Sequence, residues 1–233
     1  MAKNKLRKFA EVATFTNVIQ PDIKEVFRKD YPIRGNWHSQ FFKNTNPIVL
    51  ELGCGKGEYT TGLAARFPDK NFIGIDIKGA RIWKGASEAL EKGLANAGFL
   101  RTRIEHISSC FGPDEVSEIW ITFPDPQEKR DRSTKRLTSS LFLPVYKKFL
   151  KPSGIIHLKT DNEILYKYTC RLCQFNNLEV NELPFFDWLA GCVKLLKTQH
   201  VAEWCKQRSA NDTTRYRYRH FHNAIIIAIL VAG

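Results

Sequence analysis

From residue 47 to residue 183, short apolar runs alternate with stretches of helical composition, and this alternation constrains the fold more than any other feature. "PIVLEL" (47–52), "NFIGIDI" (71–77), "TRIEHI" (102–107), "EIWITF" (118–123), "GIIHLKT" (154–160) and "LEVNEL" (178–183) read as strands. "PIVLEL" is a continuous apolar run, as expected for a strand covered on both faces. Between the strands, "EYTTGLAARF" (58–67), "KGARIWKGASEALEKGL" (78–94), "SLFLPVYKKFL" (140–150) and "DNEILYKYTCRLCQF" (161–175) read as helices. Asp161 or Asn162 is a plausible cap for the last of them. Strands that alternate with helices build parallel βαβ units. The expected fold is α/β: a doubly wound, Rossmann-like sheet with helices on both faces. The closing "AIIIAILVAG" (224–233) is about half the length of a membrane helix and reads as a buried strand. Residues 1–45 read as a basic N-terminal extension with a short helix over "NKLRKFAEV", and 46–233 as one domain.

Sheets of this kind bind ligands outside the carboxyl ends of their strands, near the point where strand order reverses. Three segments fall on that rim: "ELGCGKGEY", "DIKGA" and "FPDPQ". Gly53, Gly55 and Gly57 let the backbone turn sharply and approach a ligand. The spacing lacks the P-loop pattern, and Glu58 stands where a dinucleotide fingerprint needs glycine. A glutamate at a helix N-terminus would repel a pyrophosphate. What remains is Glu51 at one strand end and Asp76 at the next, the latter suited to the two hydroxyls of an adenosine ribose. An adenosine ligand without pyrophosphate points to S-adenosylmethionine, whose amino and sulfonium groups are cationic and suit an acidic rim. A glycine turn required only for packing is the competing explanation.

Pro124 and Pro126 flank Asp125 and stiffen the exit from the fourth expected strand. A carboxylate fixed there can face a sulfonium or accept hydrogen bonds from a base edge; a turn-capping aspartate is the alternative. Lys129, Arg130, Arg132, Lys135 and Arg136 follow, opposed by Asp131 alone. On a chain of net charge +12 this cluster suits a phosphate backbone. Arg215 to His222 alternates cations with aromatics at period two, which suits phosphate contact and base stacking or equally an ordinary half-buried strand, and Lys3, Lys5, Arg7 and Lys8 offer a third contact. Cys170 and Cys173 fall i, i+3 on an expected helix and read as core packing, so no metal is expected. The opening "MAKNKLRKFAE" has no apolar run, which with unpaired-looking cysteines points to a reducing cytoplasm.

Taken together, "ELGCGKGEY", "IGIDIKGARIWKGA", "ITFPDPQEK", "KRLTSSLFL" and "GIIHLKTDN" resemble the bacterial tRNA (guanine-N7-)-methyltransferase family. The resemblance implies a class I methyltransferase domain over 46–233, S-adenosylmethionine as donor, and a guanosine of the tRNA variable loop as target. It implies tRNA as partner; the chain itself is expected to be a monomer or homodimer, and the short closing apolar run gives no reason to expect membrane attachment. Glu51, Gly53, Gly55, Asp76, Ser108 and Asp125 would hold the cofactor, and Asp125 would also be catalytic. Lys129, Asp161 and Thr198 would bind substrate. Two positions depart from the family pattern: Ser108 where Asp or Asn is usual, and Val201 where a glutamate follows the threonine. These departures keep open another RNA or a small molecule as substrate, or an inactive cofactor-binding RNA-binding protein.

Overall fold

A computed structural model of the chain describes residues 2–183 and 225–230. Its strands are β1 (Val18–Ile19), β2 (Ile48–Leu52), β3 (Asn71–Ile75), β4 (Ala97–Leu100), β5 (Val116–Thr122), β6 (Leu150–Thr160), β7 (Glu179–Leu183) and β8 (Ile225–Leu230). They form one sheet in the order β1-β4-β3-β2-β5-β6-β8-β7. β1 to β6 run parallel, and β8 enters antiparallel between β6 and β7. Strand order reverses at β2, between β3 and β5, which is the switch point expected from the sequence.

The helices are α1 (Ala2–Val12), α2 (Ile23–Val26), α3 (Glu58–Arg66), α4 (Gly79–Glu91), α5 (Leu143–Tyr146) and α6 (Glu163–Phe175). Ala64 of α3 and Ile82, Ala86 and Ala89 of α4 pack with Val49, Phe72 and Phe99 on one side of the sheet. Trp37, Phe111, Tyr146, Leu165 and Cys173 pack with Leu50, Ile73, Ile119 and Ile156 on the other. Helices therefore cover both faces, and β2 and β3 are buried along their whole length. Cys173 is fully buried and Cys170 packs against the same core, as the helical i, i+3 spacing suggested.

Two elements differ from the sequence expectation. "TRIEHI" is not a strand: Ile104–Ser109 is a 3-10 helix, and the strand is the preceding Ala97–Leu100. That strand opens with two small residues, Ala97 and Gly98, for tertiary reasons. A Cβ on Gly98 would meet the Phe41 ring at 2.6 Å, while Phe99 fills the space beside Gly57. The expected helix over 140–150 shrinks to Leu143–Tyr146, with Pro144 in its first turn, because the chain enters β6 at Leu150. The N-terminal residues join the body of the fold: β1 pairs with β4, and α1 packs on α4. Among the described residues no helix is long and apolar enough to cross a membrane, and no cluster of His, Cys, Asp and Glu is placed to hold a metal.

Candidate active site

The glycine loop is pinned to the end of β3. Gly53 and Cys54 both donate their N–H to the Ile75 carbonyl, at 2.8 and 3.0 Å. Asp76, the next residue, accepts from the Gly55 N–H at 3.0 Å with one oxygen and from the Lys78 N–H at 2.8 Å with the other. One carboxylate thus shapes the loop and starts α4. Gly57 has φ +72°, and a Cβ there would sit 2.6 Å from the Phe99 ring. A Cβ on Gly85 of α4 would lie 2.6 Å from the Lys56 carbonyl, so helix and loop touch through bare backbone.

Glu51, near the end of β2, is buried at 5% exposure. Its Oε2 accepts from the Thr60 N–H at 2.9 Å and the Thr60 hydroxyl at 2.5 Å; its Oε1 accepts from the Thr122 hydroxyl at 3.0 Å. Burial pushes its pKa from 4.5 up to about 7, against the pull of the Thr60 and Thr122 hydrogen bonds. Thr122 ends β5, so the carboxyl group ties the two strands of the switch point to α3.

β5 leaves the sheet through Phe123, whose N–H still donates to the Lys159 carbonyl at 2.8 Å and whose φ is +46°. Asp125 follows, exposed, with its Oδ1 accepting from the Gln127 N–H at 3.1 Å. Arg136 holds this loop from below. It is 4% exposed, donates from Nε to the Pro126 carbonyl at 3.0 Å and from a terminal nitrogen to the Gln127 carbonyl at 3.1 Å, and lies 4.3 Å from the Tyr168 ring centre. The expected basic cluster therefore divides. Lys129, Arg130, Arg132 and Lys135 are exposed around the 3-10 helix Arg130–Lys135, whereas Arg136 is an internal anchor.

Asp161 is exposed just beyond β6, and Asn162 is the cap of α6, accepting from the Leu165 N–H at 2.9 Å. Asn162 also donates to Glu128 at 2.9 Å, joining the Pro-Asp-Pro loop to the start of α6. Behind them Lys159 is 3% exposed. Its Nζ is 3.2 Å from the Tyr59 hydroxyl and 5.3 Å from the Phe123 ring centre. Burial lowers its pKa to about 8. Ser108 sits in the 3-10 helix after β4, where its carbonyl accepts from Arg34 Nε at 3.2 Å. Thr198, Val201 and the alternating segment 215–222 lie outside the described residues.

The structure thus brings Glu51, Gly53, Gly55, Asp76, Asp125, Lys129 and Asp161 to the carboxyl ends of β2, β3, β5 and β6. Thr60, Thr122 and Lys159 complete the rim and were not singled out from sequence; Arg136, expected among the phosphate-facing cations, instead turns inward and anchors the Asp125 loop. The donor set fits a cationic nucleoside. Two carboxyl groups stand at the ends of the adjacent strands β2 and β3, and a Cβ added to exposed Gly53 would meet nothing within 4 Å, leaving the loop open outward.

A doubly wound sheet with a glycine loop and acidic residues at its switch point is a frame for nucleoside cofactors, and likeness to known proteins shows that this one is of the methyltransferase class. The family described as "Putative methyltransferase" matches residues 45–184. Solved structures share the fold: the aminoglycoside resistance methyltransferase NpmB1 at TM-score 0.56 and 17% identity, covering 86% of this chain and 98% of that one. The 16S rRNA methyltransferase KamB superposes at TM-score 0.54 and 14% identity, covering 83% and 92%. Much greater similarity joins the chain to two curated tRNA (guanine-N(7)-)-methyltransferases. That of Bacteroides thetaiotaomicron is 49% identical over 88% of this chain and 81% of its own length. That of Christiangramia forsetii is 57% identical over 77% and 80%. The chain belongs to the tRNA (guanine-N7-)-methyltransferase family.

Proposed function

We propose that this protein transfers a methyl group from S-adenosylmethionine to N7 of a guanosine in the variable loop of tRNA, in the cytoplasm. The observation that carries the reading is the convergence of Glu51, Asp76 and Asp125 on one switch-point rim, in a chain of this family. The cofactor supplies a methyl group made electrophilic by its sulfonium. Glu51 and the glycine loop hold its amino-acid end, and Asp76 its ribose hydroxyls. Ser108 is assigned to the adenine end.

Guanine N7 carries a free lone pair, so no proton has to leave before attack. Catalysis then rests on orientation and electrostatics. Asp125, held at the exit of β5 by two prolines and by Arg136, accepts from the donor edge of the guanine and keeps negative charge beside the purine as it becomes cationic. Lys129 and Asp161 flank it on the substrate side, with Thr198 assigned to the same role. The test is nucleoside mass spectrometry of unmodified tRNA incubated with protein and S-adenosylmethionine. 7-Methylguanosine supports the reading, and another methylated nucleoside or none overturns it.

A further inference from the structure

The far side of the cleft carries cations that the catalytic rim does not use. Lys5 of α1 is exposed, as are Lys78 and Arg81 at the start of α4; Lys8 is half-buried with its ammonium 4.4 Å from the Trp83 ring centre. The apolar side of α1 is already occupied. Phe9 packs so closely on Gly79 that an added Cβ would come within 2.9 Å of its ring, and Val12 is fully buried. Trp83 donates its indole N–H to Glu11 at 2.6 Å, which locks α1 to α4. Arg101 links this pair to the site: it lies 4.9 Å from the Phe9 ring centre and donates from Nε to the Ile77 carbonyl at 3.3 Å. Ile77 follows Asp76, so α1 stands beside the Asp76 end of the cleft.

The exposed cations after Asp125 stand on the opposite flank. α4 packs on β4, and the loop carrying the second group is anchored by Arg136 to Tyr168 of α6, the helix after β6. From β4 to β6 the sheet takes four inter-strand steps, about 19 Å. Two cationic flanks that far apart suit phosphates several nucleotides apart along one backbone better than a single small anion. We infer that α1 is a phosphate-contacting arm, in which Lys5, Lys8 and Arg81 grip the tRNA backbone on the Asp76 side while the Lys129 side holds the other end. The inference rests on the tRNA reading above and extends it to a second surface. An anionic membrane would need a free apolar face on α1; Phe9 and Val12 are turned onto α4, and Leu6 is the large apolar residue left exposed.

The test is equilibrium binding of fluorescent tRNA transcript, without methyl donor, over a range of salt. Three proteins are compared: the parent, the triple variant Lys5→Gln, Lys8→Gln and Arg81→Gln, and a control. The control carries Lys147→Gln, Lys148→Gln and Lys151→Gln, around Leu150 at the opposite end of the sheet, and removes the same charge. The triple variant is expected to bind about tenfold more weakly or worse, with its log–log salt slope reduced by about 2 to 3. The control should keep the parental slope, and both should bind S-adenosylmethionine as the parent does. Equal behaviour of the two variants overturns the inference, as does parental binding to phosphatidylserine vesicles that exceeds binding to tRNA. A parent that shows the expected binding pattern but transfers no methyl group refutes the catalytic reading and leaves the arm standing. A parent that methylates tRNA while the triple variant binds it normally refutes the arm alone.

Discussion

Thr60 donates both its backbone N–H and its hydroxyl to a single oxygen of the Glu51 carboxyl group, at 2.9 and 2.5 Å. The first turn of α3 is thereby fastened to β2 through one buried acid, and that acid carries a pKa raised from 4.5 to about 7 by burial.

A raised folded-state pKa means that the folded chain binds more protons than the unfolded chain. The stability this group provides is full below about pH 4.5 and is lost as pH rises through about 7. Glu51→Gln keeps an acceptor for Thr60 and removes the titration. Between pH 4.5 and pH 8 the stability gap should move in favour of the variant by up to about 3 kcal/mol, while its affinity for S-adenosylmethionine falls. Urea unfolding of both proteins across that range checks the first point and calorimetric titration the second. A gap that does not change with pH contradicts the buried-acid description.

Asp125 is exposed and accepts a hydrogen bond from the backbone of its own turn, so replacing it leaves the core untouched. Asp125→Ala should lower kcat by about 100-fold or more, with a much smaller change in cofactor affinity. Loss of cofactor binding with normal turnover would show that Asp125 holds the donor and does not act on the base.

Arg136 is a buried cation whose hydrogen bonds run to two loop carbonyls, Pro126 and Gln127. Arg136→Met should destabilise the fold by about 1 to 3 kcal/mol and release the loop that carries Asp125. Arg136→Lys keeps the charge but not the fork, so it should fall between the two. Turnover should drop with loop anchorage while S-adenosylmethionine affinity stays close to parental. A variant with parental stability and turnover would remove Arg136 from the account of the site.

Gly85 and Gly57 meet through their α-carbons, with a Cβ on Gly85 placed 3.0 Å from the Gly57 Cα and 2.6 Å from the Lys56 carbonyl. Both neighbours are backbone and cannot swing aside. Gly85→Ala should therefore push α4 off the glycine loop, with a loss of about 1 to 3 kcal/mol and weaker cofactor binding. Thermal unfolding with and without S-adenosylmethionine measures both.

The local part of this site was legible in the sequence. The glycine loop between a strand and a helix, Asp76 at the next strand end and the proline-flanked Asp125 each announce themselves within a few residues, and the reversal of strand order follows from the alternation. The tertiary part was not. Thr122 reaches Glu51 across 71 residues. In a run of five cations, nothing distinguishes Arg136 as the one that turns inward. The strand Ala97–Leu100 is not legible because Ala and Gly are poor strand formers; Phe41 leaves no room for a side chain at Gly98, and Phe99 fills the space that Gly57 leaves bare.

The most direct measurement is transfer of radiolabelled methyl from S-adenosylmethionine to a tRNA transcript, followed by chain cleavage specific for 7-methylguanosine. The expected result is a single cleavage in the variable loop, abolished when the target guanosine is replaced. Label that resists this cleavage, or that maps outside the variable loop, would contradict the assignment of guanosine N7 to this rim.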